Sequence, residues 1–189
     1  MEIIQYIQTI VRVSPEATER ISSSFVEKEL PKKTILFEEG QPVNSLYFIE
    51  KGLIRMYYIN RQGKDITFGF YTEQDFVTIP ESFFGQIPSR YFLELLENSV
   101  VHALSHSELM SLVRDFPEVR EIENYVLRYF LLKSAERTIA LQFQTAEERY
   151  QTLAASQPTI LQRAPLGAIA SYLGITQETL SRIRARKSS

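Results

Sequence analysis

Residues 164–187 read APLGAIASYLGITQETLSRIRARK. Ile169, Leu173, Ile175, Leu180 and Ile183 are apolar, Ala170 is small, and Gly174 stands between two short amphipathic segments. That spacing predicts two helices joined by a tight turn. Pro165 suits a first helical turn, where its missing N–H has no bond to lose and its fixed φ fits. Gly174 ends that helix, because a left-handed φ costs glycine little. Thr176 then caps a second helix with its hydroxyl, and this helix reads on to about Lys187. Ala170 lets the helices approach closely, with Leu180 and Ile183 facing back onto Ile169 and Leu173. Such a pair is a helix-turn-helix, whose second helix reads base edges in a major groove with its N-terminal residues. Arginine can pair guanine there, glutamate cytosine and glutamine adenine. The candidate DNA-contacting residues are Thr176, Gln177, Glu178, Ser181 and Arg182 toward the bases, with Arg184, Arg186 and Lys187 toward phosphates.

Charge follows the same division. The 189 residues carry a formal net charge of −2. From residue 163 onward, Arg163, Arg182, Arg184, Arg186 and Lys187 face Glu178 alone, while the residues before it hold 16 basic and 22 acidic side chains. No carboxylate occurs between Glu148 and Glu178. A small basic module on an acidic body suits a surface that approaches phosphates. The hydrophobic content of 44% is enough for a proper core. No run of about 18 apolar residues occurs, and the opening MEIIQYIQTIVRV is too short and polar for a signal or a span, so a cytoplasmic protein without a membrane partner is expected. The absence of cysteine excludes disulfides, thiolate zinc sites, cysteine-ligated iron–sulfur clusters and a cysteine nucleophile. There is no P-loop, no Gly-x-Gly-x-x-Gly and no recognisable Ser/His/Asp arrangement, so no enzyme is expected.

Ahead of the module, short strands alternate with turn signals, the pattern of a meander or roll: 34–37, 45–50, 53–59, 65–71, 91–96 and 99–105. Glu39-Gly40, Lys51-Gly52 and Gln62-Gly63 read as turns in which glycine supplies positive φ. Residues 1–30 read as mainly helical, with Ser14 capping a helix that Pro15 begins. HSELMSLVRDFP turns helical after the last strand. Residues 117–145 read as one long helix, with helix again to about 155. Val119, Ile122, Val126, Tyr129 and Phe130 form one stripe on the long helix; Leu127, Leu131 and Ala135 form a second. Two apolar faces need two partners, the roll of the same chain and the same helix of a second copy. Such a dimer sets two recognition helices about 34 Å apart, matching successive major grooves.

The stretch LFEEGQPVNSLYFIEKGLIRMYY, residues 36–58, combines a Gly40 turn, the Leu46-Tyr47-Phe48-Ile49 strand and a Gly52-Leu53-Ile54-Arg55 hairpin. With the helix-turn-helix that follows, the chain resembles the Crp/Fnr family of bacterial transcription regulators over nearly its whole length. The resemblance implies an α+β fold. An N-terminal double-stranded β-helix, a jelly-roll-like β-roll flanked by helices, takes 1–116, a dimerisation helix takes 117–145, and a helix-turn-helix DNA-binding domain takes 146–189. The family's β-hairpin wing is not expected, since the chain stops at Ser189. Implied partners are double-stranded DNA, a second copy in a homodimer, RNA polymerase and a small-molecule effector. The family's base-reading positions fall on Glu178 and Arg182, with Gln177 where arginine is common.

Relatives that bind cyclic AMP carry Gly-Glu followed some ten residues later by Arg-Ser or Arg-Thr. Here DFVTIPESFFGQIPSRYFLELLE has no Gly-Glu after Phe76, and Ser89-Arg90 reverses the order. Cyclic AMP is not expected, which leaves another small ligand or none. Glu81, Ser82, Arg90 and Tyr91 are the candidate ligand contacts, with Phe83, Phe84 and Phe92 as aromatic neighbours. No resident cofactor or metal is expected: His102 and His106 are four apart across a strand end, and His102 reads as a half-buried strand residue. Two readings stay open, a dimeric sequence-specific regulator and a ligand-binding or protein-interaction module that has lost specific DNA binding.

Overall fold

The computed structural model describes residues 2–187, Lys187 by its backbone alone. Helices α1 (Glu2–Ile10) and α2 (Pro15–Ser24) lead in, the second capped by the Ser14 hydroxyl, which accepts the Ala17 N–H at 3.2 Å. The roll follows as β1 (Val26–Leu30), β2 (Ile35–Phe37), β3 (Ser45–Lys51), β4 (Ile54–Ile59), β5 (Asp65–Tyr71), β6 (Phe76–Val77), α3 (Pro80–Gly85), β7 (Phe92–Leu95) and β8 (Ser99–Ser105). Two antiparallel four-stranded sheets, ordered β1-β8-β3-β6 and β2-β7-β4-β5, face each other. Leu46, Tyr47, Phe48 and Ile49 of β3 are all buried, because helices cover one face and the opposite sheet the other. At Gly52, φ is +131° and an added Cβ would lie 2.5 Å from Ser99 Cβ, so the β3–β4 turn admits glycine alone.

One expected helix is a strand. Residues 26–30 pair with β8 from Val26↔Ala103 to Leu30↔Ser99. Glu27, Lys28 and Glu29 are exposed on this edge strand, and such charged edges discourage further pairing while giving no period-2 apolar signal. The short β6 and α3 lie in a stretch to which the sequence pattern assigns no element.

Beyond the roll come α4 (His106–Asp115), α5 (Pro117–Phe143), α6 (Ala146–Ser156), α7 (Ile160–Arg163), α8 (Leu166–Tyr172) and α9 (Gln177–Lys187). Helix α5, at about 1.5 Å per residue, runs roughly 40 Å. Val119, Ile122, Val126 and Phe130 of its first stripe join the roll core. Its other side leaves Leu131 68%, Leu132 62%, Ile139 53% and Phe143 78% exposed. A second core gathers Tyr150, Leu153, Ile160, Ile169, Leu173, Leu180 and Ile183, and Leu53, Phe70 and Leu96 of the roll belong to it. The C-terminal helices therefore pack on the outside of their own roll. No helix among the described residues is long and apolar enough to cross a membrane.

Candidate nucleic-acid interface and roll cavity

The helix-turn-helix is built as its residues dictate. Helix α8 starts at Leu166, one residue after Pro165, and Leu173 is its C-cap. Gly174 follows at φ +67°. The Ile175 N–H donates to Ala170 O at 3.0 Å and the Gly174 N–H to Ser171 O at 3.0 Å, the crossed pair of a Schellman turn. Thr176 caps α9, its Oγ1 accepting the Thr179 N–H at 3.3 Å. Leu180 and Ile183 are buried with Ile169 and Leu173, and Ala170 at 2% exposure is the close-approach point. This locks the rotation of α9 and leaves Thr176, Gln177, Glu178, Ser181, Arg182, Arg184 and Arg186 exposed. The Lys187 side chain lies outside the described residues. A hydrogen bond from the Thr176 hydroxyl holds the Glu178 carboxyl below its usual range, keeping it an acceptor.

The module is seated on the roll through polar contacts that the sequence does not announce. Ser171 Oγ accepts the Thr67 N–H at 2.8 Å and donates to Asp65 O at 3.2 Å, closing the edge of β5. Arg163 reaches Glu73 with two nitrogens at 2.7 and 2.9 Å and Glu97 at 2.6 Å. Burial would raise the Glu73 carboxyl, but the hydrogen bonds from Arg163 and the Gly52 N–H override it and hold it at about 2. Arg163, counted with the basic module in the sequence, thus faces acidic partners on the roll. The first turn of α9 (Thr176, Gln177, Glu178) shares a cleft of about 550 Å³ with Lys64, Asp65 and Glu94.

A cavity of about 500 Å³ opens between the inner face of β2-β7-β4-β5, α3, α5 and α8. Of the four residues singled out for a ligand, Glu81 and Tyr91 line it. Ser82 is fully buried, with Oγ accepting the Val43 N–H at 2.9 Å and donating to Ile87 O at 2.5 Å, so its hydroxyl holds the loop. Arg90 is exposed and off the wall. The expected aromatic neighbours sit elsewhere: Phe83 packs on Phe84 and His106, and Phe92 stacks on Tyr57 at 4.9 Å. Phe68, Phe70, Tyr71, Phe130 and Tyr172 take their place. Lys133 and Arg137 of α5 also line the cavity, one turn apart beside Tyr129 and Phe130. Their four-residue spacing, continuing the face of Tyr129 and Phe130, was the signal available in the sequence.

His102 is fully buried rather than half-buried, and its Nε2 lies 2.6 Å from Glu50 Oε2. Glu27, Glu50 and His102 bring their ligand atoms within 4.8 Å of one another. Nδ1 of His102, however, is buried without a partner. The acceptor that usually orients a metal-bound imidazole through its second N–H is thus not found among the described residues, while Nε2 pairs with Glu50. A thiolate-ligated cluster does not fit these residues, which include no cysteine.

Residues 27–116 match the family model for the cyclic nucleotide-binding domain. The anaerobic regulatory protein of Pasteurella multocida is 31% identical over 171 residues, covering 85% of this chain and 62% of its own length. The fumarate and nitrate reduction regulatory protein of Escherichia coli is 30% identical over 171 residues, covering 85% and 68%. The chain spans about two thirds of the length of these relatives, both regulatory proteins. Among solved structures, FixK2 from Bradyrhizobium japonicum shares the fold at TM-score 0.75 and 21% identity, over 86% of this chain and 83% of that one.

Proposed function

The chain belongs to the Crp/Fnr family of transcription regulators, and from that premise we propose that it works as a homodimer reading a two-fold-symmetric DNA site with α9. The observation that carries this reading is the locked rotation of α9. Leu180 and Ile183 are anchored in the module core, so Gln177, Glu178, Ser181 and Arg182 form an exposed row at the helix's N-terminal half, with Arg184 and Arg186 behind it. In a major groove, Arg182 and Glu178 would read bases while Arg184, Arg186 and Lys187 neutralise phosphates. The exposed stripe of Leu132, Ile139 and Phe143 on α5 is the dimer seam, because a single short helix rarely gives enough affinity alone.

The arrangement described above is the closed one. In it the first turn of α9 faces Lys64, Asp65 and Glu94 across a cleft of about 550 Å³, so a duplex on α9 would lie against the roll unless the module moves. Release of the Arg163 and Ser171 contacts lets the module swing out. A small ligand in the roll cavity shifts this equilibrium only if it binds one arrangement better than the other.

Selection of bound fragments from random-sequence duplex DNA, at two salt concentrations and with Arg182→Ala in parallel, tests the reading. Two half-sites one helical turn apart, lost or blurred in the variant, support it, as does a steep loss of affinity with salt. Recovery of no motif under either condition leaves the chain a ligand-binding or interaction module.

A further inference from the structure

The turn between β5 and β6, residues 72–75, carries two carboxylates that face different parts of the molecule. Glu73 holds Arg163, the last residue of α7, through nitrogens at 2.7 and 2.9 Å. Asp75 faces the long helix. Its Oδ1 accepts the Tyr129 hydroxyl at 2.6 Å, and its Oδ2 lies 3.6 Å from Lys133 Nζ. One short turn therefore touches both α5 and the C-terminal module.

The turn has little freedom of its own. The Thr72 N–H donates to Asp75 Oδ2 at 2.8 Å and the Asp75 N–H to Thr72 O at 3.1 Å, so the Asp75 carboxylate closes it from within. Gln74 adopts φ +66°, a left-handed conformation that a residue with a Cβ keeps only where its surroundings impose it. Those surroundings are the end of β3 and the turn after it. The Gln74 N–H donates to Ile49 O at 2.8 Å, the Ile49 N–H to Asp75 O at 3.1 Å, and the Gly52 N–H to Glu73 Oε1 at 2.9 Å. With two residues between them in so constrained a segment, the two carboxylates are set together. Lys133 strengthens the hold from α5. It bonds the Tyr129 hydroxyl, donates to Phe70 O at 3.4 Å and lies 4.3 Å from the centroid of the Tyr71 ring, gripping β5 just ahead of the turn. Burial, reinforced by the Asp75 charge, raises the Tyr129 hydroxyl above its ordinary value, so it keeps its proton and remains a donor. A hydrogen bond to an ionised acceptor is stronger than one between neutral groups.

We propose that Asp75 is a positioning residue for the DNA-reading module. Held by Tyr129 and Lys133 of α5, it sets the turn so that Glu73 meets Arg163. The grip of the long helix on this turn thereby governs how firmly the module is seated on the roll. Neither carboxylate lines the roll cavity, so the effect needs no occupant there. This deepens the closed arrangement proposed above and rests on that reading only for its consequence on DNA.

The test is made on the full chain without DNA, so its failure is separable from failure to select a DNA site. Amide hydrogen exchange across residues 164–176 reports opening of the module. Tyr129→Phe removes one hydroxyl, keeps the ring, and should speed this exchange about 3- to 10-fold. Tyr125→Phe, one turn earlier, removes a hydroxyl bonded to Tyr6 at 3.3 Å and should leave the exchange unchanged. In Arg163→Ala, where Glu73 has lost its partner on the module, Tyr129→Phe should add less than about twofold. Ser171→Ala, which cuts a separate contact with β5, should add its full effect in either background. Equal gains from Tyr129→Phe with and without Arg163, no gain in the unaltered protein, or an equal gain from Tyr125→Phe overturns the proposal. Loss of the Ser171→Ala gain in Arg163→Ala also overturns it, since a seat that opens as a whole assigns Asp75 no route of its own.

Discussion

Replacing Arg163 by alanine removes the main charged contact between the module and the roll. The guanidinium holds Glu73 through two bonds and Glu97 through two more, with 23% of its side chain exposed against 38% and 32% for the carboxylates. Holding Glu73 at about 2 instead of 4.5 is equivalent to about 3 kcal/mol before solvent is considered. Part of that shift belongs to the Gly52 N–H and survives the substitution, and screening at a site this exposed reduces the rest to about 1–2 kcal/mol, at the upper end for surface pairs because the bonding is bidentate and shared. A shift of that size changes the ratio of closed to open molecules by a factor of about 5–30. If the closed form cannot take DNA, apparent affinity rises toward the same factor until the open form dominates. Fluorescence anisotropy with a labelled duplex measures that gain, and amide hydrogen exchange measures the opening directly, as faster exchange across residues 164–176. The pair's contribution is complete above the unfolded carboxyl value near 4.5 and is lost as pH falls through the folded value of about 2, so protection of the module should decline within that window. Unchanged exchange and unchanged affinity in Arg163→Ala would refute the view that this pair seats the module.

Gly52→Ala places a Cβ 2.1 Å from Ser99 Oγ at a φ of +131°, so it should destabilise the roll by about 2–4 kcal/mol and lower Tm by roughly 5–15 °C; a melt within a degree of the original contradicts the packing described. Leu132→Glu with Ile139→Glu puts two charges on one face of α5, two turns apart, and sedimentation should show monomer with the roll's melting unchanged; persistence of a dimer moves the seam elsewhere. Arg182→Ala should cost about 1–3 kcal/mol on the selected site and relax one base position. Arg186→Ala should weaken all sequences alike and lower the salt slope by about 1. If the two variants gave the same pattern in a binding series over sequence and salt, the division between base and phosphate contacts would fail.

Local chemistry explains what could be read from the sequence. Gly174, Thr176, Leu180 and Ile183 fix the turn, the cap and the buried face of the recognition helix by rules acting within a few residues. The same holds for Ser14 and for Gly52. The misread elements lie where long-range pairing overrides local pattern. Val26–Leu30 is a strand because β8 offers it an edge, and its Glu-Lys-Glu centre gives no hint of that. Ser82 looks like a ligand contact in sequence, but it lies where Val43 N–H, 39 residues earlier, needs an acceptor. Arg163 was counted as part of a DNA-facing charge, yet its partners are 90 and 66 residues away on the roll. Period and capping cannot reveal pairings at such separation.

Tyr172 marks where the cavity and the module meet. Its ring lies 5.3 Å from Phe70 of the roll, takes the Arg137 guanidinium on its face at 4.1 Å, and lines the cavity. Its neighbour Ser171 closes the edge of β5, and Leu173, which follows, is the C-cap that leads into the turn. Within three consecutive residues, helix α8 therefore meets the cavity, the roll edge and the start of the recognition helix. Packed interiors shift between discrete arrangements and do not deform smoothly. The Arg137–Tyr172 stack is one contact of a seat otherwise held by Arg163, Ser171 and the apolar patch of Leu53, Phe70 and Leu96. Each contact is worth at most a few kcal/mol, so the seat should loosen when one of them is lost, which is what Arg163→Ala measures.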